Sequence, residues 1–236
     1  MATIQTIWFW VIILLTTVYA ILDGADLGAG ILYPFARGDS ARKRIISSVA
    51  PFWDASEVWL LTAVGALFAA FPVVYAEIFS RLYLPMMAAI FALIFRAISI
   101  EFIDKSESPA WKFVFGAMLF IGSALPPVVF GMAAGYLLCG RLVDTFTFLS
   151  GALVLFAFVL HGVAFLKVKS RRMFLYSSLA IVVLMAIFGL LAYFKASPMM
   201  AHLSSSEATL KTMLVIALIG LPVVVGYTIW FRKAMK

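Results

Sequence analysis

Acidic side chains recur in pairs within or at the edge of long apolar runs, where charge is costly. Asp23 and Asp26 stand three residues apart in LDGADLGAG, and Asp54 and Glu57 stand three apart in PFWDASEVW. Residues at i and i+3 share one face of an α-helix. A charged side chain at the centre of a membrane helix costs about 2.5–3.5 kcal/mol on insertion scales, so each pair needs a counter-ion, water or a function. The chemistry available to such pairs is reversible proton binding.

Three further ionisable side chains interrupt apolar runs. Arg96 and Glu101 occur in FRAISIEF, about 140° apart around a helix, and His161 occurs in LHGVAF. One arginine cannot neutralise four carboxylates by direct pairing. Some of the acids are therefore expected to be protonated or hydrated, because desolvation and neighbouring like charges both favour the neutral carboxyl.

The composition of the chain excludes most soluble classes of protein. Its 236 residues are 65% hydrophobic and 12% charged, whereas soluble domains carry about 25% charged residues. The mean hydropathy is +1.10. The net charge of +7 is spread over short clusters between apolar runs, a pattern that reports membrane orientation and not nucleic-acid binding. The single cysteine, Cys139, excludes an internal disulfide and a thiolate metal site.

The apolar runs predict an all-α integral membrane protein with about seven transmembrane helices, since a span needs about 20 apolar residues. The first run has no basic segment before it and is too long for a signal peptide, so we expect it to be retained. We predict one membrane domain over 1–236, with a four-helix bundle over 1–138 and three further helices over 139–236. The predicted spans are 4–33, 55–76, 82–103, 113–138, 146–167, 173–194 and 211–231.

The basic residues predict the orientation of these spans. Of the 18 Lys and Arg residues, thirteen fall in alternate connections or at the C-terminus and four on the opposite side. The positive-inside rule then places the N-terminus outside and the C-terminus in the cytoplasm. All the intruding charged residues fall in the cytoplasmic half of their spans, which suggests proton uptake from the cytoplasm. The segment 37–48 is a candidate interfacial helix. The thirteen are Arg37, Arg42, Lys43, Arg44, Lys105, Lys112, Lys167, Lys169, Arg171, Arg172, Arg232, Lys233 and Lys236.

Structural explanations compete with the proton-path hypothesis. Asp54 and Glu57 have the spacing of a capping box at the start of the second span. Arg96 and Glu101 could form a structural pair at headgroup level. His161 is more typical of a hydrogen-bonded helix residue than of a ligand, and with His202 in an outer loop we expect no haem held by this chain alone.

Glycines and prolines predict how the helices pack. Gly24, Gly28 and Gly30 have the small-residue spacing that allows close helix approach. Pro126 and Pro127 remove backbone donors in the fourth span, where we expect a kink.

The chain resembles subunit II of cytochrome bd-type quinol oxidases. The resemblance rests on an ordered set of segments that covers the first five predicted spans, about two-thirds of the chain. They are DGADLGAG, SVAPFWDASEVWL, GALFAAFPVVYA, FR at 95–96, FIGSALPPVVFG and LHGVAFL.

The resemblance implies a respiratory membrane complex of the prokaryotic cell (inner) membrane that oxidises quinol and reduces dioxygen to water. In that family subunit I carries haem b, haem d and the quinol site, whereas subunit II binds no haem, packs against subunit I and contributes to a proton path. The family's aspartate in P-x-W-D-x-x-x-V-W corresponds to Asp54, its D-G-x-D-x-G pair to Asp23 and Asp26, and Glu57 is compatible with a polar path.

The chain also departs from the family pattern. Members are commonly longer by about two helices, so we expect a truncated second bundle without the lipid or quinone that some relatives hold there. The short length fits either a compact oxidase or an assembly in which an additional small membrane subunit fills the gap, with membrane lipids around it. Phe52 occupies a position that is histidine in some members.

Two other hypotheses fit the same residues. A free-standing proton-coupled transporter or channel would use the carboxylates for ion movement, although the two halves of the chain show no matching repeats. A purely structural membrane partner would use its polar residues for helix packing. The isolated chain is expected to have no catalytic activity, because it offers no set of redox-cofactor ligands.

Overall fold

Long α-helices connected by short turns make up nearly all of the structure. The computed structural model describes residues 4–167 and 171–234, and in these ranges no β-strand occurs. The helices are α1 (Ile4–Leu32), α2 (Asp39–Val49), α3 (Trp53–Ala70), α4 (Pro72–Arg81), α5 (Tyr83–Phe102), α6 (Pro109–Cys139), α7 (Thr145–Leu166), α8 (Arg171–Ala196), α9 (Met200–Leu203) and α10 (Glu207–Ala234).

The helices confirm the all-α membrane prediction. Six of the described helices, α1, α5, α6, α7, α8 and α10, are long and apolar enough to cross a membrane, and α2 with α3 forms a seventh candidate bent by 48°. Lys169 and Lys236, counted above on the basic side, lie outside the described residues.

The second predicted span, 55–76, was wrong at its end. Helix α3 ends at Ala70, and α4 begins at Pro72. Phe71 between them has φ −131° and ψ 65°, outside the helical region. The reason is local: a proline has no N–H and disfavours the helical conformation of the residue before it.

The candidate interfacial segment is a helix, α2. It buries Ile45, Ile46 and Val49 and exposes Lys43 and Arg44. Its apolar face packs against the ends of α1 and α5 and the start of α6. We call this the basic end of the molecule.

A different apolar cluster marks the opposite end. There Trp8 of α1 packs with Ala70, Phe71 and Leu210, and its indole N–H donates to the Leu210 carbonyl at 2.9 Å. Helices α1, α3, α5 and α6 therefore run alternately between the two ends, as the charge pattern predicts.

Backbones approach most closely where α1 crosses α7. A Cβ on Gly28 would lie 1.9 Å from the Phe158 carbonyl oxygen, and a Cβ on Gly162 would lie 2.2 Å from the carbonyl carbon of Gly28. No side chain fits at either position. This contact confirms the prediction that Gly28 allows close helix approach. It also brings α7 against the part of α1 that carries Asp23 and Asp26.

Helix α6 continues through the two prolines. Both Pro126 and Pro127 are buried, and α6 packs along α5 and α7. Gly122 lies against the backbone of Arg96 on α5, where a Cβ would be 2.7 Å from the Arg96 nitrogen. The small residues of α6 thus set the position of the arginine.

Candidate functional site

Asp23 and Arg96 form a fully buried ion pair between α1 and α5. Arg96 Nη2 donates to Asp23 Oδ1 at 2.6 Å and Nη1 donates to Oδ2 at 3.1 Å, and both side chains are 0% exposed. This two-pronged geometry is the strongest arrangement available to an arginine and a carboxylate. Asp23 lies about 14 Å along α1 from Leu32, at 1.5 Å per residue, so the pair is deep in the bundle.

Glu57 of α3 contacts the same guanidinium, at the nitrogen Nη1 that also donates to Asp23. Its Oε1 accepts from Arg96 Nη1 at 3.4 Å, and its side chain is 24% exposed. One buried cation therefore faces two carboxylates, of which Asp23 is sealed and Glu57 reaches the surface. Because one arginine can neutralise only one carboxylate, the second either keeps an unpaired negative charge or binds a proton.

Asp26 has its own partner one turn further along α1. Ser56 of α3 donates to Asp26 Oδ2 at 3.3 Å, and both residues are buried. Asp26 also lines a cavity of about 220 Å³ near the basic end. The remaining lining residues are Ile21, Leu22, Ala25, Phe52, Phe165 and Phe174. This carboxylate has access to a space large enough for several waters.

Asp54 is exposed in the first turn of α3. The residue preceding the helix is Phe52, and no side chain caps this N-terminus. The capping-box explanation for Asp54 and Glu57 is therefore wrong. A carboxylate in the first helical turn is still stabilised by the helix dipole. Asp54 lies one turn before Glu57 on the same face.

Glu101 lies outside the ionic cluster that Asp23, Glu57 and Arg96 form. It is exposed near the end of α5, and Arg96 pairs with Asp23 and Glu57 instead. The suggested Arg96–Glu101 pair is wrong because five residues of helical rotation point the two side chains apart.

His161 connects three helices away from the ion pair. Its Nε2 lies 3.0 Å from the Ile21 carbonyl oxygen and its Nδ1 lies 2.8 Å from Ser177 Oγ. Its ring stacks on Phe174. Because a carbonyl can only accept, Nε2 carries a proton and donates it to Ile21. Nδ1 pairs with the Ser177 hydroxyl, which also lies 3.0 Å from the Phe174 carbonyl oxygen. His161 thus links α7 to α1 and α8.

Cofactor ligation does not fit these residues. Both ring nitrogens of His161 are engaged in hydrogen bonds, so neither offers a lone pair in a position for haem iron, and His202 is exposed on the short helix α9. Within residues 4–167 and 171–234, no group of three His, Cys, Asp or Glu side chains is arranged to hold a metal ion.

Sequence reasoning missed three polar neighbours of the cluster. Ser56 binds Asp26, Ser177 binds His161, and the buried Tyr19 lies beside Asp23. Tyr19 precedes Asp23 by four residues, so the helical period places both on one face. That spacing was a usable signal, whereas the serines gave none.

Carboxylates outside the spans have surface partners. Glu77 on α4 accepts hydrogen bonds from the Tyr136 hydroxyl and from Arg81, which lower the pKa of the Glu77 carboxyl. Lys112 and Lys43 likewise lower the pKa of Glu107 at the basic end. These acids are exposed and remain ionised at neutral pH, so they do not resemble the buried set.

The fold and the site define a multi-pass α-helical membrane protein with an ionic cluster built from three helices. The family model for cytochrome bd terminal oxidase subunit II matches residues 4–200. The chain belongs to this family and is a protein of the prokaryotic cell (inner) membrane.

Curated relatives agree with the family match. The chain is 42% identical to cytochrome bd-I ubiquinol oxidase subunit 2 of Escherichia coli K12 over 138 residues, which is 58% of this chain and 36% of that protein. It is 35% identical over 188 residues to a probable cytochrome oxidase subunit 2 of Haemophilus influenzae, a match that covers 72% of this chain and 50% of that protein. The Bacillus subtilis cytochrome bd ubiquinol oxidase subunit 2 is 32% identical over 185 residues, a match that covers 72% of this chain and 55% of that protein. The chain spans about half or less of the length of these relatives.

Proposed function

We propose that this chain is the non-haem subunit II of a cytochrome bd-type quinol:oxygen oxidoreductase. It packs against a haem-bearing subunit I and contributes to proton uptake from the cytoplasm for the reduction of dioxygen to water. Subunit I carries haem b, haem d and the quinol site, and this chain binds neither haem nor metal. The support is the family membership together with the ionic cluster.

The observation that carries the proposal is that two acidic residues beside the ionic cluster lie on an exposed surface of α3. Asp54 and Glu57 share the face of α3 that the chain itself leaves exposed. Charged groups are not left against lipid, because hydrocarbon cannot solvate them. This face therefore needs water or another protein, and a partner subunit that consumes protons satisfies both the packing and the chemistry.

The four carboxylates take different roles in this proposal. Asp54 accepts a proton at the basic end, and Glu57 receives it one turn further in. Arg96 favours the ionised form of Glu57 and so promotes release toward the partner, while Asp23 keeps the guanidinium in place. Asp26 exchanges protons through the adjacent cavity.

Two further residues have supporting roles. Glu101 adds negative charge at the basic end, and His161 fixes α7 and α8 against α1. Lipids, and an additional small membrane subunit, cover surfaces that the chain leaves open on α8 and α10.

The test is purification of the tagged chain in mild detergent, followed by quinol-driven oxygen consumption. We expect a larger haem subunit with a bd-type visible spectrum to co-elute. Asp54→Asn should then lower turnover several-fold with haem content unchanged, because asparagine cannot carry a proton, and Asp54→Glu should restore most of it. Asp104→Asn, another exposed aspartate at the basic end, is the matched control and should leave turnover unchanged.

The other outcomes are equally informative. A chain that elutes alone and colourless would favour the free-standing transporter or channel and contradict the proposal. Unchanged turnover in Asp54→Asn would remove Asp54 from the path, and loss of the haem subunit in that variant would make its role structural.

A further inference from the structure

Ser56 of α3 has two hydrogen-bond acceptors within reach of its one hydroxyl. Its Oγ lies 3.3 Å from Asp26 Oδ2 and 3.0 Å from the carbonyl oxygen of Phe52, and the residue is 1% exposed. The same carbonyl also accepts from the backbone N–H of Ser56 at 3.1 Å. A serine hydroxyl carries a single proton and can accept as well as donate. Ser56 therefore donates either to Asp26 or to Phe52, according to what Asp26 offers.

The two protonation states of Asp26 match the two directions of this hydroxyl. An ionised carboxylate only accepts, so Ser56 then donates to Asp26 Oδ2, and the Phe52 carbonyl keeps the backbone N–H. A protonated carboxyl can donate, so Asp26 then donates to Ser56 Oγ while the Ser56 proton turns to the Phe52 carbonyl. The change between them is the rotation of one O–H bond. Because an unpaired buried polar group is destabilising, this rotation makes both states of Asp26 acceptable in the interior.

Asp23, one turn away on α1, lacks this freedom. Both of its oxygens accept hydrogen bonds from Arg96, and a guanidinium has no acceptor and does not lose its proton in proteins. A proton on Asp23 would therefore set an O–H group against an N–H group. Of the two buried acids of α1, Asp26 is the one whose surroundings accommodate a change of protonation.

The cavity of about 220 Å³ gives protons access to this arrangement. Asp26 and Phe52 both line it, so a proton can reach the Asp26 carboxyl without crossing the Asp23–Arg96 pair. Arg96 interacts electrostatically with Asp26 and opposes its protonation. The charged and titratable groups that the surrounding helices bring to this part of the bundle are Asp23 of α1, Asp54 and Glu57 of α3, Arg96 of α5, His161 of α7 and the exposed Arg172 of α8.

We propose that Ser56 is a positioning residue whose hydroxyl follows the protonation of Asp26, so that this buried acid binds and releases a proton reversibly. The proposal deepens the proposed function, since it rests on the exchange of protons at Asp26. It assigns a role to a residue that carries no charge and transfers no proton to the partner.

Infrared difference spectroscopy across a pH series tests this role on the purified chain with whatever subunits co-elute. The carbonyl stretch of protonated Asp26 is the band that Asp26→Asn removes. In Ser56→Ala the ionised carboxylate loses the stronger of the two hydrogen bonds, so this band should persist about one pH unit higher than in the parent. Ser56→Thr keeps the hydroxyl and should return the titration toward that of the parent.

Ser99→Ala is the matched control for this experiment. Ser99 is 0% exposed, and its hydroxyl donates to the Phe95 carbonyl at 2.7 Å, so its removal should leave the Asp26 band unchanged. An unchanged titration in Ser56→Ala, an equal shift in Ser99→Ala, or the absence of an Asp26 band at every pH would overturn the proposal. A shifted band in Ser56→Ala together with unchanged turnover in Asp54→Asn would support the role of Ser56 and contradict the path through Asp54.

Discussion

The central residue of this protein is Arg96, whose fully buried guanidinium forms ion pairs with two carboxylates. Asp23 binds it through two short hydrogen bonds, and Glu57 binds it at 3.4 Å while reaching the surface. A buried ion pair of this kind adds little net stability, because desolvation offsets the attraction, but removing one partner leaves the other charge uncompensated. The cluster is therefore sensitive to any change that unbalances it.

Arg96→Met tests this imbalance. We expect a loss of about 3–5 kcal/mol, because Asp23 remains buried without its counter-ion. Adding Asp23→Asn should recover part of the loss by removing that charge. The measurement is the thermal-unfolding midpoint of the purified protein in detergent.

A surface ion pair provides the control for Arg96→Met. Lys211 and Glu207 are both 65% exposed at the start of α10, so Lys211→Met should leave the midpoint unchanged. A double variant no more stable than Arg96→Met alone would show that Asp23 is not the destabilising charge.

At the scale of elements, the position of the acidic segment depends on the crossing of α1 and α7. Gly28 and Gly162 meet backbone to backbone, and His161 bonds the Ile21 carbonyl one to two turns away. Close contact between helices through small residues is a common means of packing in membranes, where hydrophobicity does not drive helices together. This crossing holds Asp23 and Asp26 toward α3 and α5.

Gly28→Ala should separate α1 from α7. The new methyl group would lie 1.9 Å from the Phe158 carbonyl oxygen, an overlap that backbone movement must relieve at about 1–3 kcal/mol or more. We expect a lower thermal midpoint and a lower yield of folded protein from membranes.

Gly65→Ala is the matched control for that substitution. Gly65 lies within α3, and a Cβ there would meet nothing within 4 Å. Alanine has a higher helix propensity than glycine, so this variant should be as stable as the parent or more so. Equal effects of the two substitutions would mean that the crossing does not limit stability.

At the scale of the whole molecule, the two ends differ in charge and in the polar groups that they present. The basic end carries α2, the exposed Asp54 and the cavity beside Asp26, whereas the opposite end carries α4 and the Trp8 cluster. The proposed path of protons depends on which end faces the cytoplasm. The positive-inside rule assigns the basic end to that side.

Two single-cysteine variants test this orientation in a Cys139→Ser background. Ser47 is exposed on α2 at the basic end, and Ser197 is exposed after α8 at the other. We expect a membrane-impermeant maleimide to label Ser197→Cys in intact spheroplasts and Ser47→Cys in inside-out vesicles. The reverse pattern would place the acidic cluster on the outer side and contradict uptake from the cytoplasm.

The sequence by itself determined the helices and the chemistry of the site. In lipid, a run of about 20 apolar residues can satisfy its backbone hydrogen bonds by forming a helix. Six of the seven predicted spans end within four residues of the end of the corresponding helix. The cost of intramembrane charge singled out seven ionisable residues before any contact was known. They are Asp23, Asp26, Asp54, Glu57, Arg96, Glu101 and His161, and the ion pairs and the buried serine contact involve Asp23, Asp26, Glu57 and Arg96.

Tertiary structure decided which of these residues meet. Sequence spacing suggested Arg96 with Glu101 and a cap at Asp54, but the partners of Arg96 come from α1 and α3, 73 and 39 residues away. Local periodicity describes the faces of one helix, whereas the pairing of faces depends on how several helices cross. Close contacts at Gly28 and Gly122 set those crossings, and through them they seal Asp23 in the interior while Glu57 stays partly exposed.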